Sequence, residues 1–218
     1  MNPPIDGFMD RRDAGRRLAE KLVGIRSDAP PVLLALPRGG VPVAAEVAEA
    51  LGIPFDVLIV RKLGVPGQEE YAMGAIASGG VMVLNHQVVA QLGISLDAVE
   101  RVIARETREL ERRERMFRSD RPTPQTEGRT VIVVDDGIAT GSTMSAAVQL
   151  LHKQRAVRVI VATPVAAADS ARRLRGEADE VITLLEPEDL GAVGNWYRDF
   201  SQTGDDEVRR LLNKAQAS

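Results

Sequence analysis

The sequence predicts an α/β chain, a parallel sheet flanked by helices, and three observations carry that prediction. Val131 to Val134 is a continuous apolar run of valines and isoleucine, and Val32–Leu36 and Phe55–Val60 have the same character. Runs of this kind mark strands buried on both faces, as in parallel sheets. Two of the runs lead through small or turn residues into segments with apolar residues at helical spacing, the alternation expected of βαβ units. Composition fits as well. The chain has 218 residues, 44% apolar and 27% charged, enough for one buried core, so residues 1–218 are expected to form a single domain. A net charge of −3 argues against a general nucleic-acid binder. The absence of cysteine excludes disulfides, thiolate metal sites and a cysteine nucleophile. The N-terminal stretch is polar, without the apolar core of a signal peptide. No apolar run approaches the roughly 20 residues that span a bilayer, so no membrane partner is expected and the compartment is expected to be the cytoplasm.

The elements follow in order. Asp10 to Ile25 reads as a first helix, with Ala14, Leu18 and Leu22 at four-residue spacing and its arginines on a solvated face. Pro30-Pro31 breaks the chain before the strand Val32–Leu36, and Pro37-Arg38-Gly39-Gly40 leads into a helix from about Val43 to Leu51. The two glycines relax the backbone and let an anion approach it, and Arg38 can add charge-assisted hydrogen bonds; a plain turn with a surface arginine fits equally. The strand Phe55–Val60 delivers Arg61 and Lys62 to its C-terminal end, where ligand sites of α/β sheets lie. Leu63 to Tyr71, with Pro66-Gly67 and Glu69-Glu70, is expected to be a mobile loop. Ala72–Ala77 and Val81–Leu84 read as a hairpin, with His86 a surface or cap residue beyond it. Ser95 to Arg118 is a long helix capped by Ser95 or Asp97, with Glu109/Arg113, Glu111/Arg115 and Glu114/Arg118 pairs and a narrow stripe of Val99, Ile103, Leu110 and Phe117. It is expected to be exposed or to bridge subunits of a homo-oligomer. Arg121–Gly128 is a linker; Val157–Thr163, Ala168–Arg175 and Glu180–Leu185 read as strand, helix and strand. Trp196, Tyr197 and Phe200 hold three of only seven aromatics within five positions, either as a cluster anchoring a tail or as a hood on which a base stacks. Asp206–Lys214 closes the chain as a helix with Val208, Leu211 and Leu212 inward.

The most informative stretch is Thr130–Thr143, TVIVVDDGIATGST. A buried strand ends in two carboxylates, Asp135 and Asp136, and a loop of small and hydroxyl residues, Gly137 to Thr143, opens a helix. Free amides of such a loop and of a helix N-terminus cradle a phosphate, and Thr140, Ser142 and Thr143 add hydroxyl donors. The carboxylates repel phosphate and suit ribose hydroxyls or an accompanying Mg²⁺. Taken alone, two solvated aspartates at a turn also fit. The loop is not a Walker motif, since three residues separate Gly137 from Gly141 and no lysine follows.

Residue for residue the stretch resembles the phosphoribosyl pyrophosphate motif of the type I phosphoribosyltransferases, and overall the chain is most similar to a bacterial group of uncharacterised members. The resemblance covers about residues 31–186 and implies the Rossmann-like fold of that family. Residues 63–120 would then be a hairpin and long-helix insertion, and residues 187–218 a C-terminal hood or tail. It implies transfer of 5-phosphoribosyl from phosphoribosyl pyrophosphate to an acceptor nitrogen, with Mg²⁺ as cofactor and release of pyrophosphate. Asp135 and Asp136 would hold the ribose hydroxyls and lie near the metal. Gly137, Ile138, Ala139, Thr140, Gly141, Ser142 and Thr143 would bind the 5-phosphate. Pro37, Arg38, Gly39 and Gly40, with a cis bond at Pro37-Arg38, would face the pyrophosphate together with Arg61 and Lys62. Trp196 and Tyr197 would be hood candidates. The 6-oxopurine enzymes carry a base-facing aspartate where this chain has Ala139, which disfavours hypoxanthine and guanine. A non-catalytic regulator that binds phosphoribosyl pyrophosphate is the alternative.

Overall fold

A computed structural model describes residues 7–25, 27–118 and 122–215, with the side chain of Glu70 left aside. Helix α1 (Arg11–Leu22) starts where the Asp10 carboxylate caps the amide of Asp13. Then come β1 (Val32–Ala35), α2 (Gly40–Leu51) and β2 (Phe55–Val57). Between β2 and the next strand of the main sheet come β3 (Val60–Val65), β4 (Gln68–Ala77), β5 (Val81–Leu84), α3 (His86–Gln91) and α4 (Leu96–Arg118). The chain returns through β6 (Thr130–Val134), α5 (Ser142–Lys153), β7 (Arg158–Val165), α6 (Ala168–Leu174) and β8 (Glu180–Leu185). A 3₁₀ turn (Val193–Trp196) and α7 (Asp205–Lys214) complete it.

The main sheet is parallel with strand order β2-β1-β6-β7-β8. Side chains alternate between its faces. Leu33, Ala35, Ile132 and Val134 join α1, α2, α4 and α7 in one core, and Leu34, Leu36, Val131 and Val133 join α5 and α6 in another. Cover on both faces is why these strands read as unbroken apolar runs. The chain leaves β1 toward one edge and β6 toward the other. Strand order therefore reverses between these two neighbours, and the crevice at their C-terminal ends is where open α/β sheets bind ligands.

Three expectations are corrected. Phe55–Val60 is not one strand: β2 ends at Val57, and Val60 opens a separate antiparallel sheet, β3-β4-β5. Leu58 and Ile59 are buried where the two sheets join, Leu58 N donating to Ala35 O and Ile59 O accepting from Ser78 N, so the apolar run passes from one sheet to the other without a break. Leu63–Tyr71 is not a loose loop either. It forms the turn half of the β3–β4 hairpin, with Leu63 and Val65 in the core and the turn at Pro66-Gly67. Helix α4 is docked rather than simply exposed. Val99, Val102, Leu110 and Phe117 are buried, and so are Glu106 and Arg118, whose partners lie across the structure. Arg118 donates to Asp56 of β2 at 3.1 Å. His86 begins α3 on the surface, under the Asn85 cap. Arg121, the first residue of the expected linker, lies outside the described residues. No helix among the described residues is long and apolar enough to cross a membrane.

Candidate active site

The loops after β1 and β6 meet at the reversal point. Their closeness explains the glycines better than backbone torsion does. Gly39 has an ordinary helical φ of −61°, but a Cβ there would stand 2.0 Å from Asp136 Oδ2. A Cβ on Gly40 would stand 2.6 Å from the Val134 carbonyl oxygen. The Pro37-Arg38 peptide between them and β1 is cis. Arg38 reaches Asp205 at the start of α7, 3.5 Å away, with both side chains well exposed.

The β6 loop is braced from behind. Ile138 pairs with Ala166, its amide donating to Val165 O and its carbonyl accepting from Ala167 N. Ser170 Oγ donates to Ala139 O at 2.6 Å, and an Arg173 Nη donates to Thr140 O. With the carbonyls turned inward, the amides of Ala139, Thr140, Gly141, Ser142 and Thr143 have no protein acceptor among the described residues. Gly141 takes the left-handed conformation (φ 69°) that turns the chain into α5, and no side chain caps that helix. Donors face outward at a positive helix end, the geometry of an anion cradle. Gly137 is pressed by Val193, whose side chain a Cβ would approach to 2.2 Å.

The two carboxylates differ. Asp135 accepts from the Asp136 amide at 2.9 Å. Part of its residue surface stays open, yet burial first and the Asp136 charge second push its pKa well above the ordinary carboxylate range. Asp136 receives the Arg11 Nε at 2.7 Å on Oδ2, with side-chain exposures of 11% for Arg11 and 14% for Asp136. The Tyr197 hydroxyl donates to the Asp136 carbonyl. Burial raises the Tyr197 pKa, with the Asp136 charge adding to it, so the phenol stays a neutral donor.

Three expectations about single residues change here. Arg11 is not on a solvated face: it reaches the second acid, and nothing local distinguishes it from Arg12, Arg16 or Arg17. Tyr197 is 4% exposed, its ring packed by Phe8 and Phe200 at centroid distances of 5.3 and 5.0 Å, so it offers no open face to a base. Trp196 is half-buried and donates Nε1 to Leu190 O. Arg61 lies within β3, not at the end of a main-sheet strand, and its guanidinium grips the buried Glu106 of α4 at 2.6 Å. Lys62 alternates to the opposite face, in register with Ala75 in the core that contains α5. Ser170 and Arg173, which brace the phosphate-type loop, carry no sequence signal beyond their place on a helix.

Whether the residues suit Mg²⁺ is a question of donors. Asp135 and Asp136 offer hard oxygens, and among the described residues no group of three or more potential ligands gathers. One oxygen of Asp136 is already taken by Arg11. That set suits an ion that keeps its waters and arrives with a polyphosphate, and it does not suit an all-protein cage.

A family model for the phosphoribosyl transferase domain matches residues 9–195. Two strains of Mycobacterium tuberculosis carry a protein whose name gives phosphoribosyl transferase as a provisional assignment. Each is 48% identical to this chain over 208 residues, covering 95% of this chain and 47% of theirs. The chain thus spans about half the length of the curated relatives it matches. The crystal structure of TT1426 from Thermus thermophilus is 43% identical, superposes with a TM-score of 0.87, and is matched over 95% of this chain and 98% of that one.

Proposed function

The chain belongs to the phosphoribosyl transferase domain family, and from that premise we propose that it moves 5-phosphoribosyl from phosphoribosyl pyrophosphate to an acceptor nitrogen, with release of pyrophosphate. The observation that carries the proposal is the meeting of two loops at the β1/β6 reversal: an outward-facing amide cradle at residues 139–143 and a carboxylate pair whose second member, Asp136, is seated against Gly39. The cradle takes the 5-phosphate, and Asp136, with Asp135, accepts from the ribose hydroxyls. Arg38, Gly39, Gly40 and Lys62 face the pyrophosphate. Mg²⁺ held by the pyrophosphate and by Asp135 and Asp136, through ribose hydroxyls or water, would neutralise charge on the leaving group. The chain's own task is to fix the two reactants in line and to meet developing charge with preset donors. Trp196, unlike Tyr197, keeps a partly open ring for the acceptor side. The cytoplasm is the compartment this reading implies.

Ala139 is exposed, and its carbonyl is held by Ser170. No base-facing carboxylate stands at that position, so efficient transfer to hypoxanthine or guanine is not expected. Turnover with either at about 1 s⁻¹ or above would contradict that specificity.

One observation favours the alternative, a regulator that binds phosphoribosyl pyrophosphate without transfer: Arg61, one of two cations expected at the pyrophosphate, is committed to Glu106. Calorimetric titration with phosphoribosyl pyrophosphate and Mg²⁺, followed by a mixed-base screen for released pyrophosphate, separates the outcomes. Binding with release supports the enzyme, binding without release supports the regulator, and no binding removes both.

A further inference from the structure

Arg11 has no explanation in its own helix. It is the first residue of α1, where the helix dipole disfavours a cation, and Asp10 already supplies the cap. Its guanidinium is nevertheless fixed on three sides. Nε donates to Asp136 Oδ2 at 2.7 Å, Nη1 donates to Ser201 O at 2.7 Å, and the plane lies over the Phe200 ring at 3.9 Å from its centroid. The surroundings that fix it are a clamp of the two chain ends. Phe8 N donates to Trp196 O, Arg198 N to Phe8 O, and Asp199 N to Met9 O, all at 2.8–2.9 Å. Phe8, Tyr197 and Phe200 pack together beneath it.

The contact is also selective at the carboxylate. Arg11 takes Oδ2, the same oxygen that rests against Gly39. Oδ1 accepts from no N–H among the described residues. The carboxylate is thereby held through Oδ2, with Oδ1 left without an N–H donor. From below, the Tyr197 hydroxyl holds the main chain of the same residue.

We infer that Arg11 is the positioning residue for Asp136: it aims the free oxygen of that carboxylate at the ribose hydroxyls of a bound phosphoribosyl group and ties the acid to the clamp formed by residues 8–9 and 196–201. The inference rests on the phosphoribosyl site proposed above. It adds that recognition of the sugar depends on a residue from the N-terminal helix that touches no part of the ligand. It also makes the clamp a reporter, because Trp196, the single tryptophan of the chain, adjoins Tyr197.

Two probes separate the sugar from the phosphate: ribose 5-phosphate and inorganic phosphate, titrated into the parent chain, Arg11→Gln and Arg11→Lys, with Trp196 fluorescence recorded alongside. The parent should prefer ribose 5-phosphate and respond to it in fluorescence. Arg11→Gln should bind ribose 5-phosphate about tenfold more weakly, the scale of one charge-assisted contact, with phosphate affinity within about twofold and the fluorescence response lost. Arg11→Lys, which keeps the charge but not the fork, should recover part of the loss. Unchanged ribose 5-phosphate affinity in Arg11→Gln overturns the inference. So does an equal loss for both probes, which would make Arg11 a support of the fold. A parent chain that shows no preference for the sugar phosphate instead overturns the phosphoribosyl site itself.

Discussion

Arg11 and Arg61 each donate from Nε to a carboxylate, Arg11 to Asp136 at 2.7 Å and Arg61 to Glu106 at 2.9 Å. By local sequence the two should have exchanged places. Arg61 follows an apolar strand and precedes a lysine, where a cation for the leaving group belongs; Arg11 lies in an arginine-rich helix that looks solvated. The structure gives Arg61 to the second sheet, where it pins the β3–β4 hairpin to α4, and gives Arg11 to the carboxylate at the crevice. The difference teaches that an arginine's role is set by the acid it finds. Those acids lie 125 residues away for Arg11 and 45 for Arg61.

The largest expected effect sharpens this contrast within a single strand. Lys62 alternates to the face opposite Arg61, and under the proposed function it meets pyrophosphate as charge develops there. Lys62→Ala should lower transfer or pyrophosphate release by roughly 10²-fold, the scale of one preorganised donor, with much less loss of ground-state affinity. Equal losses in affinity and rate would make Lys62 a uniform binder. A regulator would show lost affinity alone, with no pyrophosphate from any base.

Arg61→Ala should do the converse. It strands Glu106, buried to 6% exposure, although Arg105 still donates to the other oxygen at 2.9 Å. Losing one partner of a fully buried pair costs about 3–5 kcal/mol; the remaining arginine and the partial exposure of Arg61 reduce this to about 2 kcal/mol. For a chain of this size that is a drop of about 5 °C in melting temperature. Thermal unfolding read beside phosphoribosyl pyrophosphate affinity checks it. A stable variant with sharply weaker ligand binding would return Arg61 to the site.

What could be read in advance follows the range of the interactions. The β6 run, its two acids and the loop to Thr143 form one continuous string, because strand burial, turn chemistry and the helix start are all local. So are the Glu109/Arg113 and Glu114/Arg118 pairs of α4, observed at 2.8 and 3.8 Å. The break between β2 and β3 was not legible, since Leu58 and Ile59 are as apolar where the two sheets join as they would be within the first. Nor was the buried pair Arg118–Asp56, since nothing in a charged helix marks which arginine will turn inward. The aromatic group at 196–200 was visible as a cluster, but its division into a buried Tyr197 and a half-open Trp196 depends on Phe8 from the other end of the chain.

The smallest expected effect concerns the other acid, and it tests whether the two carboxylates are as unlike as their surroundings suggest. Asp135 has a folded-state pKa raised above its ordinary value of 3.8, by burial and by the charge of Asp136. The folded chain therefore binds more protons at this position than the unfolded chain does. Its contribution to stability is fully present below about pH 4 and is lost as pH rises through the raised pKa. Asp135→Asn removes that titration and keeps an oxygen for the Asp136 amide. In the absence of metal and ligand, the variant should be more stable than the parent at neutral pH. The gap should close as the pH falls and vanish below about pH 4, where the parent carboxyl is protonated in both states. Denaturant unfolding across that range reads the gap directly. A variant less stable than the parent at neutral pH would mean that ionised Asp135 is well solvated or well paired, and that burial at the end of β6 imposes no such penalty.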